Sequence, residues 1–453
     1  MLNCLTLLLA ALALVLALVA VGKVPLRYNI RNLTVRWKTT LMTALAFTLV
    51  VALLTVMLAF VNGMRRMTEG TGQPGNVLIL SDGSTDEAFS NLSPADLSEI
   101  ESLGRLDGQP AIVSENGRLL ASRETYLVVN QPFFDGAGKD PKRRFLQVRG
   151  LDDPQVSARV HNIELMPGGS WFSTAGVAEL PGAADESGHR KTAIQAVLGE
   201  GIAHELGHSR SREQLATARN PDRLDLGDTF TLGNREWIVC GILQSANSTF
   251  NSEIWAKRAL MGPLFGKDTY TTLVVRTADA KRAGRLKDFL KDYKKVAIAA
   301  QVETDYYAAL SESNQQFLYA IVFVTAVMAI GGIFGVMNTV FAAISQRVKD
   351  IGVLGLLGYS RGHILISFLL ESLLLALTGG LLGCALGAMS HGLTATSFVT
   401  GSSGAGRSVV LKLAVDSQVL SSGILLSLGM GAIGGIIPPL LRAIRLKPLE
   451  ALR

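Results

Sequence analysis

ISQRVKDIGVLGLLGYSRGHILISFLLESLLLALTGGLLG, residues 344–383, places a few charges between two long apolar runs. Arg347, Lys349, Asp350 and Arg361 carry the charge of its first half. Upstream, 315–346 contains no Asp, Glu, Lys or Arg, and downstream 372–406 contains none either. A bilayer crossing needs about 20 consecutive apolar residues, and each run exceeds that. The stretch therefore reads as a short turn between two membrane spans. Its basic side chains put that turn in the cytoplasm, because cytoplasmic loops carry the excess of Lys and Arg.

The same reading extends outward. Residues 39–64 and 417–441 are also free of charged side chains, and LTLLLAALALVLALVAVG begins at Leu5. Five candidate spans result. The first is expected to be a retained helix with its N-terminus outside, since Lys23, Arg27, Arg31, Arg36 and Lys38 follow the apolar run. Leu26, Ile30, Leu33 and Trp37 recur at helical spacing between those cations, so 23–39 is expected to be an amphipathic elbow in the interface. Arg442, Arg445, Lys447 and Arg453 place the C-terminal tail in the cytoplasm. The expected organisation is 1–22, an extra N-terminal span; 23–39, the elbow; 40–62, a span; 63–316, a translocated domain; and 317–453, three further spans. With 48% hydrophobic and 18% charged residues, the net charge of +6 is topology signal and needs no nucleic acid. Cys4 and Cys384 lie in spans and Cys240 stands alone, so no disulfide framework is expected.

Within 63–316, NVLIL (76–80), FLQVRG (145–150), AIQAVLG (193–199) and EWIVCGIL (236–243) read as strands, and MPGGS (166–170) and LPGAADESG (180–188) as turns. The fold class expected is an integral membrane α-helical bundle with a large mixed α/β extracytoplasmic domain between spans two and three. DFLKDYKKVAIAAQVETDYYAALSESNQQFLYA is expected to carry a helix into the third span. TGSSGAG (400–406) reads as a tip before a strand.

HELGH, residues 204–208, has the HExxH spacing that lets two imidazoles on one helix face share a zinc ion. A catalytic zinc needs a third protein ligand, and a metzincin-type extension would place histidine where Gln214 stands and glycine where Ser211 stands. Glu236 lies in an apparent strand. His204, Glu205 and His208 are therefore read as incidental, on a helix whose Ile202, Ala203 and Leu206 pack inward. MGPLFGKDT (261–269) is one residue short of a phosphate-binding loop and carries Asp268 where a magnesium-binding hydroxyl belongs. Two polar residues lie within spans. Asn338 can hydrogen-bond across helices, and Glu371 is either a partner within the bundle or close enough to the cytoplasmic side to stay hydrated. GGIFG (331–335) and GGLLGCALG (379–387) read as packing faces.

The opening stretch resembles the FtsX-like permease domain of MacB/LolC-type ABC transporters, in which a cytoplasmic segment S-x-x-E-R-x-x-E-I-G-x-L-R-A-x-G-A precedes a long helix with F-L-x-E. Arg347, Ile351, Gly352, Leu354 and Gly358 match, as do Phe368, Leu369 and Glu371. Gln346 and Asp350 stand where the pattern has glutamate and Gly355 where it has arginine, departures that bear on the exact ionic contacts with a partner and not on the family. RNLTVRWKTTLMTALAFTLVVALL is similar to the family's elbow and first span, and IRLKPLEALR to its C-terminal ending. AVLGEGIAHELG followed by LDLGDTFTLGNREWIVCGIL is similar to its external-domain pattern. HELGH thus falls on a family helix where Leu206 and Gly207 are scaffold.

The resemblance implies a permease subunit without catalytic residues or cofactor of its own. A separate cytoplasmic ATP-binding-cassette subunit would receive a coupling segment at 345–360, with Arg347, Lys349, Asp350, Ile351, Gly352, Leu354 and Gly358 as the partner-binding residues. A second permease chain, identical or paralogous, is expected, with membrane lipids around it and a periplasmic adaptor protein as a further partner open to such a complex. The expected location is a bacterial inner membrane. The transported substrate would be a lipid, lipoprotein, peptide or drug-like molecule. The alternatives are a membrane regulator of an external hydrolase and, remotely, an anchored zinc protease.

Overall fold

The computed structural model describes residues 37–133, 142–184, 190–210, 212–245, 248–310, 312–346, 359–400 and 406–445, with scattered positions before 37. The chain forms two compact units. One comprises 1–62, 316–393 and 413–453; the other comprises 63–315 and 394–412.

In chain order, helix α1 (Trp37–Glu69) leads to β1 (Asn76–Ser81) and α2 (Pro94–Glu101), followed by the long strands β2 (Ala121–Phe133) and β3 (Lys142–Leu151). Next come α3 (Pro154–His161), β4 (Val177–Ala184), β5 (Arg190–Gly199) and α4 (Glu200–His208). They are followed by β6 (Thr229–Leu232), β7 (Arg235–Leu243), β8 (Glu253–Lys257), α5 (Arg258–Phe265) and β9 (Thr272–Arg276). The first part of the unit ends with α6 (Ala280–Lys291), β10 (Ile298–Val302) and α7 (Glu303–Leu310). Then come α8 (Glu312–Gln346), α9 (Arg361–Ala388), the hairpin β11 (Thr394–Thr400) and β12 (Gly406–Lys412), and α10 (Ser417–Arg445).

The α/β unit is built on one ten-stranded sheet in the order β6-β7-β5-β8-β3-β2-β9-β1-β10, with β4 paired to β5. Most pairs are antiparallel, but β7 with β5 and β8 with β3 run parallel. Covering both faces requires strands that are apolar on both sides. β1 shows this: Val77 and Ile79 join a core with Leu97, Ile100, Leu286 and Leu290 from α2 and α6, whereas Leu78 and Leu80 join Val160, Tyr306 and Tyr307 on the other face. Ser93 and Asp96 form a reciprocal capping box that starts α2. Asp279 caps α6 through the Arg282 amide. A separate core at the far end of the sheet gathers Leu198, Ile202, Leu206, Trp237 and Ile242.

The four expected strands are present. The helix expected to run into the third span is present: α8 begins at Glu312 within that stretch and continues to Gln346. Ahead of it α6 ends at Lys291, and Ile298–Val302 pairs antiparallel with β1 as the edge strand β10. Its alanines favour helix locally, but the open edge of β1 offers a full ladder, and tertiary pairing overrides propensity. One reading is corrected: the Pro/Gly stretch from Leu180 to Ala184 belongs to β4, with a register irregularity against β5 between Glu179 and Ala184, while 185–188 lie outside the described residues.

Among the described residues four helices are long and apolar enough to cross a membrane: α1, α8, α9 and α10. Of the expected first span only isolated helical positions are described, and most of the 23–39 elbow also lies outside the described residues. At 33 residues α1 is about 50 Å long, well beyond the roughly 30 Å hydrocarbon layer. Within the helical unit the glycines of GGLLGCALG form a contact face. A Cβ at Gly379, Gly383 or Gly387 would meet α1 at Phe47, Thr48 and Val51, or Thr55, and one at Gly380 would meet Ser427 of α10. Such spacing of small residues lets helix backbones approach closely. Polar side chains add bridges: Thr48 Oγ1 donates to the Gly379 carbonyl, Ser427 Oγ to that of Ala376, and Asn62 Nδ2 to that of Ala414.

Candidate functional sites: a buried ionic junction and an intramembrane cleft

At the centre of the large sheet lies a cluster of charges with almost no exposure. Arg149, on β3, has a side chain 1% exposed. Its Nε and Nη2 donate to the two oxygens of Glu253 on β8, at 2.7 and 2.8 Å. Nη1 donates to Glu87 at 2.7 Å and also to Glu124 on β2. The guanidinium lies 4.9 Å from the Tyr126 ring centroid and 5.4 Å from that of Phe250. A planar fork suits this role, because it satisfies one carboxylate bidentately and still presents another donor edge.

The cluster continues through His161, the last residue of α3. Its Nε2 lies 2.7 Å from Glu124, and its Nδ1 lies 2.9 Å from Glu303, the first residue of α7. Phe250 packs against the imidazole with centroids 4.8 Å apart. Burial alone would strip the ring of its proton, but the Glu124 and Glu303 carboxylates outweigh burial and push its pKa up to about 10. For Glu124 burial acts upward, yet His161 and Arg149 together hold it down at about 2. Glu87 is different: burial, reinforced by Glu124 and Glu253, raises it despite Arg149. An imidazolium and a guanidinium thus hold carboxylates whose environments push their proton affinities apart.

The signs fix a pH response. His161, raised in the folded state, contributes stability that is complete below about pH 6.5 and is lost as pH rises through about 10. Glu124, lowered, contributes stability present above its unfolded value of 4.5 and lost as pH falls through about 2. Unfolding of the wild-type chain in detergent should therefore become easier from pH 6.5 towards 10. In His161→Gln that slope should flatten, with lower stability at pH 6.5. An unchanged slope would show that the imidazolium is not the group responsible.

HELGH lies on α4 as a helix, Glu200–His208. Ile202, Ala203 and Leu206 are buried in the core beside β5 and β7. His204 Nδ1 lies 3.0 Å from the Asp222 carbonyl, and His208 is exposed. Burial raises the pKa of Glu205, partly countered by Arg144. A Cβ at Gly207 would meet the Arg223 backbone at 2.6 Å, so the glycine is where the chain at 223–224 crosses the helix. Among the described residues no three His, Cys, Asp or Glu side chains are grouped to hold a metal ion.

In the helical unit Asn338 of α8 and Glu371 of α9 line one cleft of about 650 Å³, together with Lys38, Thr43 and Met430. Sequence spacing gave no hint that these two polar residues share a wall. Arg347, Lys349, Asp350, Ile351, Gly352, Leu354 and Gly358 lie outside the described residues. The described flanks are the end of α8 at Gln346 and the start of α9, where Ser360 Oγ accepts the His363 amide and the Ser360 amide donates to His363 Nδ1.

The junction escaped sequence reading altogether. Its only trace is charge inside apolar strands, Arg149 in FLQVRGL and Glu253 before IWA, and nothing in the spacing pairs them with Glu87, Glu124, His161 or Glu303.

Comparison with known proteins agrees with this architecture. Residues 40–293 match the MacB-like periplasmic core domain, and residues 322–448 match the FtsX-like permease C-terminal domain. A macrolide export ATP-binding/permease protein MacB of Nitrobacter winogradskyi is 30% identical over 241 residues, covering 50% of this chain and 35% of that protein. The uncharacterized ABC transporter permease YknZ of Bacillus subtilis is 29% identical over 253 residues, covering 50% of this chain and 57% of YknZ. The chain spans less than two thirds of either relative's length. Among solved structures, the periplasmic region of MacB from Actinobacillus actinomycetemcomitans superposes with a TM-score of 0.32 at 12% identity, covering 54% of this chain and 94% of that one. Four apolar helices and a MacB-like periplasmic core make this a membrane protein with an extracytoplasmic domain. With both matched domains in one chain, the protein belongs to the MacB/FtsX-type ABC transporter permeases.

Proposed function

We propose that this chain is the membrane-spanning subunit of a transporter whose ATP hydrolysis takes place in a separate cytoplasmic ATP-binding-cassette subunit. Residues 345–360 dock on that subunit, with Arg347, Lys349 and Asp350 at the polar start of the segment and Ile351, Gly352, Leu354 and Gly358 on the part that enters its groove. ATP-driven closure of the partner tilts the helices and moves the α/β domain, and a second permease chain completes the complex. The cargo is a lipid, lipoprotein, peptide or drug-like molecule handled at or beyond the outer face of a bacterial inner membrane.

The observation that carries this reading is how tightly the spans feed the domain. Only six residues separate the end of α1 at Glu69 from β1 at Asn76, and only residue 311 separates α7 from α8. Connections this short cannot absorb a displacement as slack, unlike longer loops. The shortness of these connections supports the reading that helix motion is passed to the domain.

Purification in mild detergent tests it. A chain containing an ATP-binding cassette should co-purify with ATPase activity, and Gly352→Pro should lower that recovery at least about tenfold, because proline fixes φ and removes a backbone donor in the proposed docking segment. Recovery of well-folded wild-type protein with no such partner would contradict the proposal.

A further inference from the structure

Glu303 has a position that no other member of the ionic junction shares. It is the first residue of α7, where the chain leaves the sheet towards α8. One carboxylate oxygen lies 2.9 Å from His161 Nδ1. The other accepts the Gln73 amide and Asn76 Nδ2, each at 2.8 Å. Gln73 and Asn76 lie in the segment that brings the chain into the domain from α1. Asn76 Nδ2 also donates to the Val160 carbonyl at 2.8 Å, beside His161 on α3. One buried carboxylate therefore bonds the incoming segment and belongs to the outgoing one, and both are tied through it to the same imidazolium.

The surrounding backbone is shaped for this contact. Gly72 has φ +89°, a conformation that L side chains rarely adopt, and a Cβ there would meet the Glu303 carbonyl group at 3.2 Å. Thr71 Oγ1 donates to the Met67 carbonyl at the end of α1 and accepts the Thr249 amide at 2.7 Å. By contrast, Arg149, Glu253, Glu87 and Glu124 bond strands and the short helix at 87–89 to one another; this part also meets α7, where the Tyr306 hydroxyl accepts the Glu87 amide and the Tyr307 hydroxyl donates to the Glu87 carboxylate, and it meets His161 through Glu124. The cluster has two parts: a fixed anchor centred on Arg149, and an arm, His161–Glu303, that reaches the chain ends.

We propose that Glu303 is a positioning residue for motion transfer, a latch that fastens the incoming 71–76 segment and the outgoing helix α7 to the α3 imidazolium so that both move with the sheet. The inference rests on the transmission reading above. Without the Glu303 charge the anchor keeps the sheet intact, while 71–76 loses its bonds to α7 and the start of α7 loses its bond to the imidazolium, leaving α7 held by Tyr306 and Tyr307.

Hydrogen–deuterium exchange on the full chain in detergent, with no ATPase present, tests this. Glu303→Gln keeps the shape and removes the charge; Glu303→Ala removes both. In each, amides of 71–76 and 304–310 should exchange at least about tenfold faster than wild type, while β3, β5 and β8 keep wild-type protection. Should Glu303→Ala not accumulate folded, Glu303→Gln decides alone. A uniform rise across the sheet would make Glu303 a support of the whole fold and overturn the latch. So would unchanged exchange at the two segments. The ATPase co-purification is separate, so a latch that fails leaves the transporter reading standing, and a missing ATPase partner leaves the exchange result intact.

Discussion

Replacing Arg149 by methionine is expected to destabilise the α/β unit by about 3–5 kcal/mol, the cost of removing one partner from a buried ionic cluster. Methionine fills much of the same volume, so a cavity is not the cause. The cost comes from the carboxylates of Glu253, Glu87 and Glu124, all at most 2% exposed. After the change they face one another with His161 as the remaining cation. Arg149→Lys should be nearly as damaging, since a single ammonium cannot grip Glu253 with two donors and still reach Glu87 and Glu124. Adding Glu253→Gln and Glu87→Gln to Arg149→Met should recover part of the loss, because neutral amides no longer repel. Unfolding of the full chain in detergent, followed by fluorescence of the buried Trp237 and Trp255, reads all three variants. If Arg149→Met unfolds like wild type, the cluster contributes no net stability.

In the membrane unit the largest effect is expected from Gly383→Leu. A Cβ at this position would meet the Thr48 carbonyl oxygen and Val51 Cβ, both at 2.7 Å. The first is backbone and cannot rotate away, so α1 and α9 must separate. Gly379 and Gly387, one turn to either side, face the same helix, so their contacts are lost as well. Overpacking of a fitted core typically costs 1–3 kcal/mol; here a whole helix contact also opens. The variant should elute as aggregate from size exclusion or lose its folded peak at a markedly lower temperature. Gly331 and Gly335 supply the control, because a Cβ at either meets nothing within 4 Å. Gly335→Leu should behave like wild type within about 0.5 kcal/mol, as substitutions away from contacts do. Equal behaviour of the two variants would show that the glycine face does not set the helix approach.

These two sites differ in how far the sequence announced them. GGLLGCALG could be read as a packing face because small residues four apart inside an apolar run have few other uses. Its partner could not be read: the periodicity of α9 places the glycines on one side but does not say which helix lies there. GGIFG carried the same signal, yet of its glycines Gly332 meets Met430 while Gly331 and Gly335 meet nothing within 4 Å. The HELGH helix was legible in its apolar side, Ile202, Ala203 and Leu206. The reason for Gly207 was not, since the segment at Arg223 that crosses it is distant in sequence.

The class of molecule was legible from neighbouring residues alone. Absence of charge over bilayer-length runs marks spans whatever surrounds them, and the alternation of apolar strands with turns marks an α/β domain between them. Both signals are local, carried by neighbouring residues. The family was legible as well, through the segment at 344–371 and the chain's matching ends. That Ile298–Val302 is a strand depended on folding, because the open edge of β1 is what makes it one. The same holds for the ionic junction. Charge burial depends on six residues that meet from six separate places in the chain, and a buried charge is tolerable only when its partners are already there. No single stretch contains that condition; the fold creates it.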